Sequence, residues 1–247
     1  MPTRRSHHGT LAALTATVVL LTGACKPETS AQGPTPDASA TATKPASNGL
    51  ASKSPREILA ATAIALRGAK SVHMKGTTVD GHDVIGLDMT LARNAASGKM
   101  RGPVNGKMVL MQVISVGGRL YLRGPQLWQA VGGQAAARRI GSRWVITPQA
   151  GAPDVAFLSL SAFAKQVLKP KGKVVKGKPA VIAGQPVITL IDSGDRSVLY
   201  VAATGEPYPL RMAQAGGKRH VDLAGYNVPV TIARPASALD FRTAVGA

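Results

Sequence analysis

Gly172-Lys173-Val174-Val175-Lys176-Gly177-Lys178 has the glycine and lysine spacing of the first seven positions of a P-loop, whose backbone N–H groups would cradle a phosphate. Two features oppose that chemistry. Pro179 stands where a Ser or Thr would hold magnesium, and the flanking residues read as strand followed by strand rather than strand followed by helix. The chain has no Gly-x-Ser-x-Gly elbow, no His-Glu-x-x-His and no Cys/His spacing for a metal. His73, His82 and His220 are isolated in sequence, and Asp192 and Asp195 flank a turn whose backbone they can satisfy. No cofactor is expected, no metal, and no enzyme. The remaining reactive group is the thiol of Cys25, the single cysteine among 247 residues, a nucleophilic sulfur able to accept a covalent group.

The residues around Cys25 say what that group would be. Arg4 and Arg5 precede an uncharged apolar run, Leu11–Leu21. At about 11 residues it falls short of the ~20 that a helix needs to cross the hydrocarbon core, so it reads as the apolar region of an export signal. Thr22-Gly23-Ala24-Cys25 resembles the lipobox of bacterial lipoproteins, with Thr22 where Leu is usual. The expectation is that residues 1–24 are removed and that Cys25 is lipidated, which would anchor the protein to the outer face of the cytoplasmic membrane. A plain secreted protein is the alternative. Thr3-Arg4-Arg5 leaves twin-arginine export open beside the general secretory route. Residues 26–53 are rich in Ser, Thr, Ala, Pro and Gly and are expected to form a disordered tether reaching roughly 30 Å. Residues 54–247 are expected to form one domain and the protein a monomer.

Without Arg4 and Arg5 the chain keeps 28 Lys and Arg against 12 Asp and Glu, a net charge of +16. In an exported, tethered protein that charge points to anionic headgroups or wall polymers, and not to nucleic acid. With no second cysteine a disulfide within the chain is excluded. At 4% aromatic residues, the core falls to Val, Ile, Leu, Met and Ala.

These groups need a scaffold. Ser54-Pro55-Arg56-Glu57 has the residues of a capping box with Pro at the first helical position, and Ile58, Ala61, Thr62, Ala65 and Leu66 form one stripe before Gly68. From Ser71 the period becomes two, giving strands paired through Asp80-Gly81. Gly106–Val116 is apolar on both alternating faces, so it is expected to be covered on both sides, by protein or by ligand. Residues 126–140 predict one or two short helices with Trp128 buried, and 158–168 a helix with Leu160, Phe163, Ala164 and Val167 on one side. A meander of short strands follows, ending in Val228–Ala233.

SVHMKGTTVDG, ISVGGRLYLRGPQLWQ, SRWVITP and LYVAATGEPYPLRM together resemble the actinobacterial LppX/LprG lipoprotein family, over most of Ser54–Pro235. The resemblance implies an α+β fold similar to the LolA/LolB carriers. In it an antiparallel sheet is curled into an incomplete half barrel, with helices on the concave side and an apolar cavity between. It also implies a lipid or lipoglycan ligand. Met108, Leu110, Ile114 and Leu122 are then candidate sheet-side lining, with Phe163 and Val167 on the helix side. Lys165, Lys169, Lys171, Lys173, Lys176 and Lys178, with no acid among them, are candidate contacts to an anionic surface. The alternative is a structural or signalling envelope lipoprotein of this fold with no transported ligand.

Overall fold

A computed structural model of the chain describes residues 46–147, 157–167 and 169–245. Cys25, the signal peptide and most of the tether lie outside the described residues. Contacts begin ahead of Ser54: Ser47 bridges Thr204, the Asn48 side-chain amide donates to the Ala202 and Gly205 carbonyls, and Leu50–Ser52 form one 3-10 turn.

The first helix, α1 (Pro55–Gly68), starts as its capping box dictates. Glu57 N–H donates to Ser54 Oγ at 3.3 Å and Ser54 N–H to Glu57 Oε2 at 2.8 Å. Its stripe buries Ile58, Thr62, Ala65 and Leu66. Five antiparallel strands follow: β1 (Ser71–Asp80), β2 (Asp83–Ala92), β3 (Ala95–Val104), β4 (Lys107–Val116) and β5 (Arg119–Arg123). Helix α2 (Pro125–Ile140) and the short strand β6 (Val145–Thr147) come next, then helix α3 (Leu160–Val167). The second half runs β7 (Val174–Lys176), β8 (Ala180–Ile182), β9 (Gln185–Asp192), β10 (Val198–Ala202), β11 (Pro209–Ala213), β12 (His220–Ala224), β13 (Leu239–Asp240) and helix α4 (Phe241–Val245).

All the strands share one curled, unclosed sheet ordered β13-β6-β5-β4-β3-β2-β1-β12-β11-β10-β9-β7, with β8 also on β9. Only β13 on β6 is parallel. The join between β1 and β12 fuses the two halves, so one apolar face runs across both. Side chains of α1, α2, α3 and α4 pack in a single cluster with that face. Ile58 of α1 forms a smaller cluster with Ile188, Leu190 and Val201.

Two expectations are corrected. Val228–Ala233 is not a strand: Pro229 cannot donate to a ladder, and Asn227 turns the chain at a φ of 64°. The segment instead crosses the end of β1, where Ser71 Oγ donates to the Val228 carbonyl at 2.6 Å. Nor is β4 covered on both faces. Val109, Met111, Val113 and Ser115 are buried, whereas Met108 and Leu110 on the opposite face are 49% and 50% exposed.

Candidate functional site

The candidate site is the helix-covered face of the sheet. Directly opposed residues on neighbouring strands share a face. Following the register from β12 to β6 gives one row: Leu223, Met74, Met89, Gly98, Val113, Leu122 and Val145. A second row from β9 to β4 reads Leu190, Leu199, Met212, Val221, Gly76, Leu87, Met100 and Met111. Five of the seven methionines in the chain stand in these two rows. The rows form one wall, and methionine, unbranched and polarisable, fills irregular gaps in a core.

The cover over this wall is broken in its middle. Within α2, Gly132 (φ −130°, ψ 17°) and Gly133 (φ 71°, ψ −169°) leave the helical conformation, so the element is two short helices joined at a glycine pair. The first half buries Leu127 and Trp128, the second Ala136 and Ile140. Trp128 is 1% exposed, yet its indole Nε1–H has no hydrogen-bond partner among the described residues. An unmade hydrogen bond of this kind costs on the order of 1–3 kcal/mol. Helix α3 is fixed at its start by Ser159, whose Oγ accepts from Ala162 N–H at 3.1 Å, and it buries Leu160, Phe163 and Ala164.

Of the predicted lining residues, Leu122 stands in the first row and Phe163 is buried in the same cluster. The side chain of Val167 lies outside the described residues. Met108, Leu110 and Ile114 are corrected to the outer face. Alternation set Met108, Leu110 and Ile114 apart from Val109, Met111 and Val113, but with both sets apolar it could not say which faces the helices. Trp128 and the five methionines were missed as one site, because only strand register brings them together.

The outer face carries a charged row. Charge alternates along it: Arg211, Asp222, Lys75, Asp88 and Lys99, continuing to Gln112 and Arg123. Arg211 donates to Asp222 through Nε at 2.5 Å and Nη2 at 3.0 Å, and His73 Nε2 lies 2.8 Å from Asp88 Oδ1. These partners hold both carboxyl groups below the usual carboxylate range, Asp222 through the Arg211 guanidinium and Asp88 through the His73 ring. A carboxylate with a depressed folded pKa stabilises above its unfolded value of about 4, and that stabilisation is lost as pH falls through the folded value. Asp222→Asn is therefore expected to lower Tm at neutral pH and to flatten the fall in Tm below about pH 4. An unchanged acid limb in thermal melts would remove Asp222 from that role.

A groove of about 370 Å³ also lies on the outer side, lined by Arg119, Tyr121, Ile146 and the segment Arg234–Ala238. Of the predicted basic contacts, Lys171 pairs with Asp195 at 3.3 Å and Lys176 donates to the Ala51 carbonyl at 2.8 Å. Lys165, Lys169, Lys173 and Lys178 are exposed.

No family model matches this sequence, and no curated protein matches it. Among solved structures the fold is similar to that of LprF from Mycobacterium bovis, with a TM-score of 0.52 at 15% identity over 74% of this chain and 97% of that one. Weaker similarity links it to the lipoprotein LppX of Mycobacterium tuberculosis, with a TM-score of 0.41 at 13% identity over 72% and 99% of the two chains. The similarity to LprF gives the fold as the half barrel of LppX/LprG-type lipoproteins.

Proposed function

We propose that this protein is an exported, membrane-anchored envelope lipoprotein. In this reading it holds an acyl chain of a lipid or lipoglycan between the methionine-rich face of its sheet and helices α2 and α3, without catalysing a reaction. The observation that carries the reading is the pairing of that wall with a cover broken at Gly132-Gly133. A permanently closed core gains from a continuous helix, since glycine inside one costs ~1 kcal/mol relative to alanine. A cover that must part over a guest gains from the break. Trp128 adds one donor in an otherwise apolar space, suited to an ester or amide carbonyl next to the chain. Cys25, lipidated, supplies the anchor.

The test uses the chain from Lys26 onward, exported behind an ordinary signal peptide in a host that makes the native lipids, and examined by native mass spectrometry and organic extraction. Near-stoichiometric acyl lipid is expected. Trp128→Phe should reduce its occupancy with little change in Tm, because the ring's packing is largely kept while the N–H is lost. Reproducible absence of lipid would mean that the space is packed with protein, leaving a structural or signalling lipoprotein.

A further inference from the structure

We infer that the outer face of β3, β4 and β5 is a docking surface for an anionic lipid bilayer, distinct from the lysine-rich stretch at residues 165–178. Three observations converge on it. From Met89 to Pro153 the chain has nine Lys and Arg and neither Asp nor Glu. Strand register sets four of those cations on one face: Lys99 and Arg101 on β3, and Arg119 and Arg123 on β5. Leu110 stands directly opposite Arg101 and Met108 opposite Pro103, with Arg123 opposite Gln112 on the next strand.

The apolar residues are exposed for a structural reason. Strand β5 pairs with β4 only over Gln112–Val116, so among the described residues no strand flanks the Lys107–Met111 half on that side. At Gly124 the chain then turns away into α2, passing so close to β4 that an added Cβ would meet the Leu110 carbonyl at 2.8 Å. Val131 of α2 is exposed near the same end, where Asn105 of the β3–β4 turn donates to the Ala130 carbonyl at 2.9 Å.

Large apolar side chains flanked by cations match the bilayer interface, with phosphates for the cations and the acyl boundary for Met and Leu. The ion pairs among the described residues do not include Lys99, Arg101, Arg119 or Arg123; Arg123 lies over the Trp144 ring at 5.7 Å and keeps its charge uncompensated. Asp88, the acid nearest Lys99 in the register, is engaged by His73 and Lys75. The lysine-rich stretch is a poorer match, because Lys171 and Lys176 are held by the protein itself and Asp192 and Asp195 lie beside it. Docked through β3–β5, the protein lies flat on the membrane, and the first half of α2 comes to the bilayer edge.

The inference rests on the proposed anchor at Cys25 only to keep the protein at the membrane. The anchor also makes the test direct, since a lipidated Cys25 leaves no free thiol. Full-length lipidated protein carrying Leu110→Cys, Val175→Cys or Val181→Cys, each labelled with one fluorophore, is reconstituted in vesicles of phosphatidylglycerol or phosphatidylcholine that contain a headgroup-attached quencher. Val175 reports on the lysine-rich stretch, and Val181, 64% exposed, serves as a remote reference. The Leu110 probe should be quenched most, in phosphatidylglycerol only, and released by high salt. Lys99→Gln with Arg101→Gln should weaken docking by about twenty-five-fold, taking roughly fivefold for each surface cation lost.

Equal quenching at the three positions, stronger quenching at Val175, or Leu110 quenching that survives both high salt and the double substitution would overturn the inference. The salt arm needs no variant, so a folding defect in the double substitution does not blur the result. Labelling of the wild-type chain would reveal a free Cys25 and count against the anchor rather than against the docking face.

Discussion

Cys25→Ala is expected to move the protein from the membrane pellet to the soluble fraction, the largest change in behaviour that one substitution should produce. The apolar run at Leu11–Leu21 is too short to span a bilayer, and no helix among the described residues is long and apolar enough to do so. In the proposed reading attachment comes from acyl chains, each buried CH₂ contributing ~0.8 kcal/mol, with two chains needed because one alone binds reversibly. The cations near Leu110 add up to ~1 kcal/mol each when they lie at an anionic surface, enough to orient an anchored protein but not to replace the anchor. Fractionation and intact mass together check this. The wild type should lack residues 1–24 and carry a diacylglyceryl mass on Cys25. An unmodified thiol, or an alanine variant still in the pellet with its signal removed, would contradict it.

How much of this was legible in the sequence depended on how local the deciding interactions are. The start of α1 was readable because Ser54 and Glu57 satisfy each other across three residues. Strand β4 was readable as a strand but not as oriented. Its two faces are equally apolar, and the choice falls to the short β5 and to α2, both later in the chain. Strand β3 was missed altogether, for AASGKMRGPV has one β-branched residue, two glycines and a proline. It is a strand because β2 and β4 pair with it on either side. Val228–Ala233 erred the other way, strand-like in composition but without a ladder to join. The candidate site suffered most, since its methionines are scattered singly over β1, β2, β3, β4 and β11 and align only once the whole register is set.

Gly98→Ala should be among the most damaging small substitutions in the domain, costing about 3 kcal/mol or more, at or beyond the upper end usual for overpacking. Gly98 stands in the middle of the inner row, between Met89 and Val113. A Cβ there would lie 2.2 Å from the Asp88 carbonyl oxygen and 2.7 Å from the Met89 Cα. Both are backbone atoms of β2, so no side-chain rotation relieves the overlap and the two strands must separate. Gly76 repeats the arrangement where β1 meets β12, with an added Cβ at 2.1 Å from the His220 carbonyl oxygen. Missing side chains at these two points let the strands crowd together on the helix side, which is how a sheet of this width curls around its cover. Gly106→Ala is the matched control, as its φ of 74° carries strain but nothing lies within 4 Å of the added atom, and ~1 kcal/mol is expected. Urea unfolding distinguishes the two, and equal losses would mean that curvature does not depend on the absent Cβ. Acyl-lipid occupancy should fall together with stability in Gly98→Ala, because the wall formed by Met89 and Val113 is displaced. Leu110→Trp on the outer face should leave both nearly unchanged, as its side chain is half exposed and lies on the face opposite the wall.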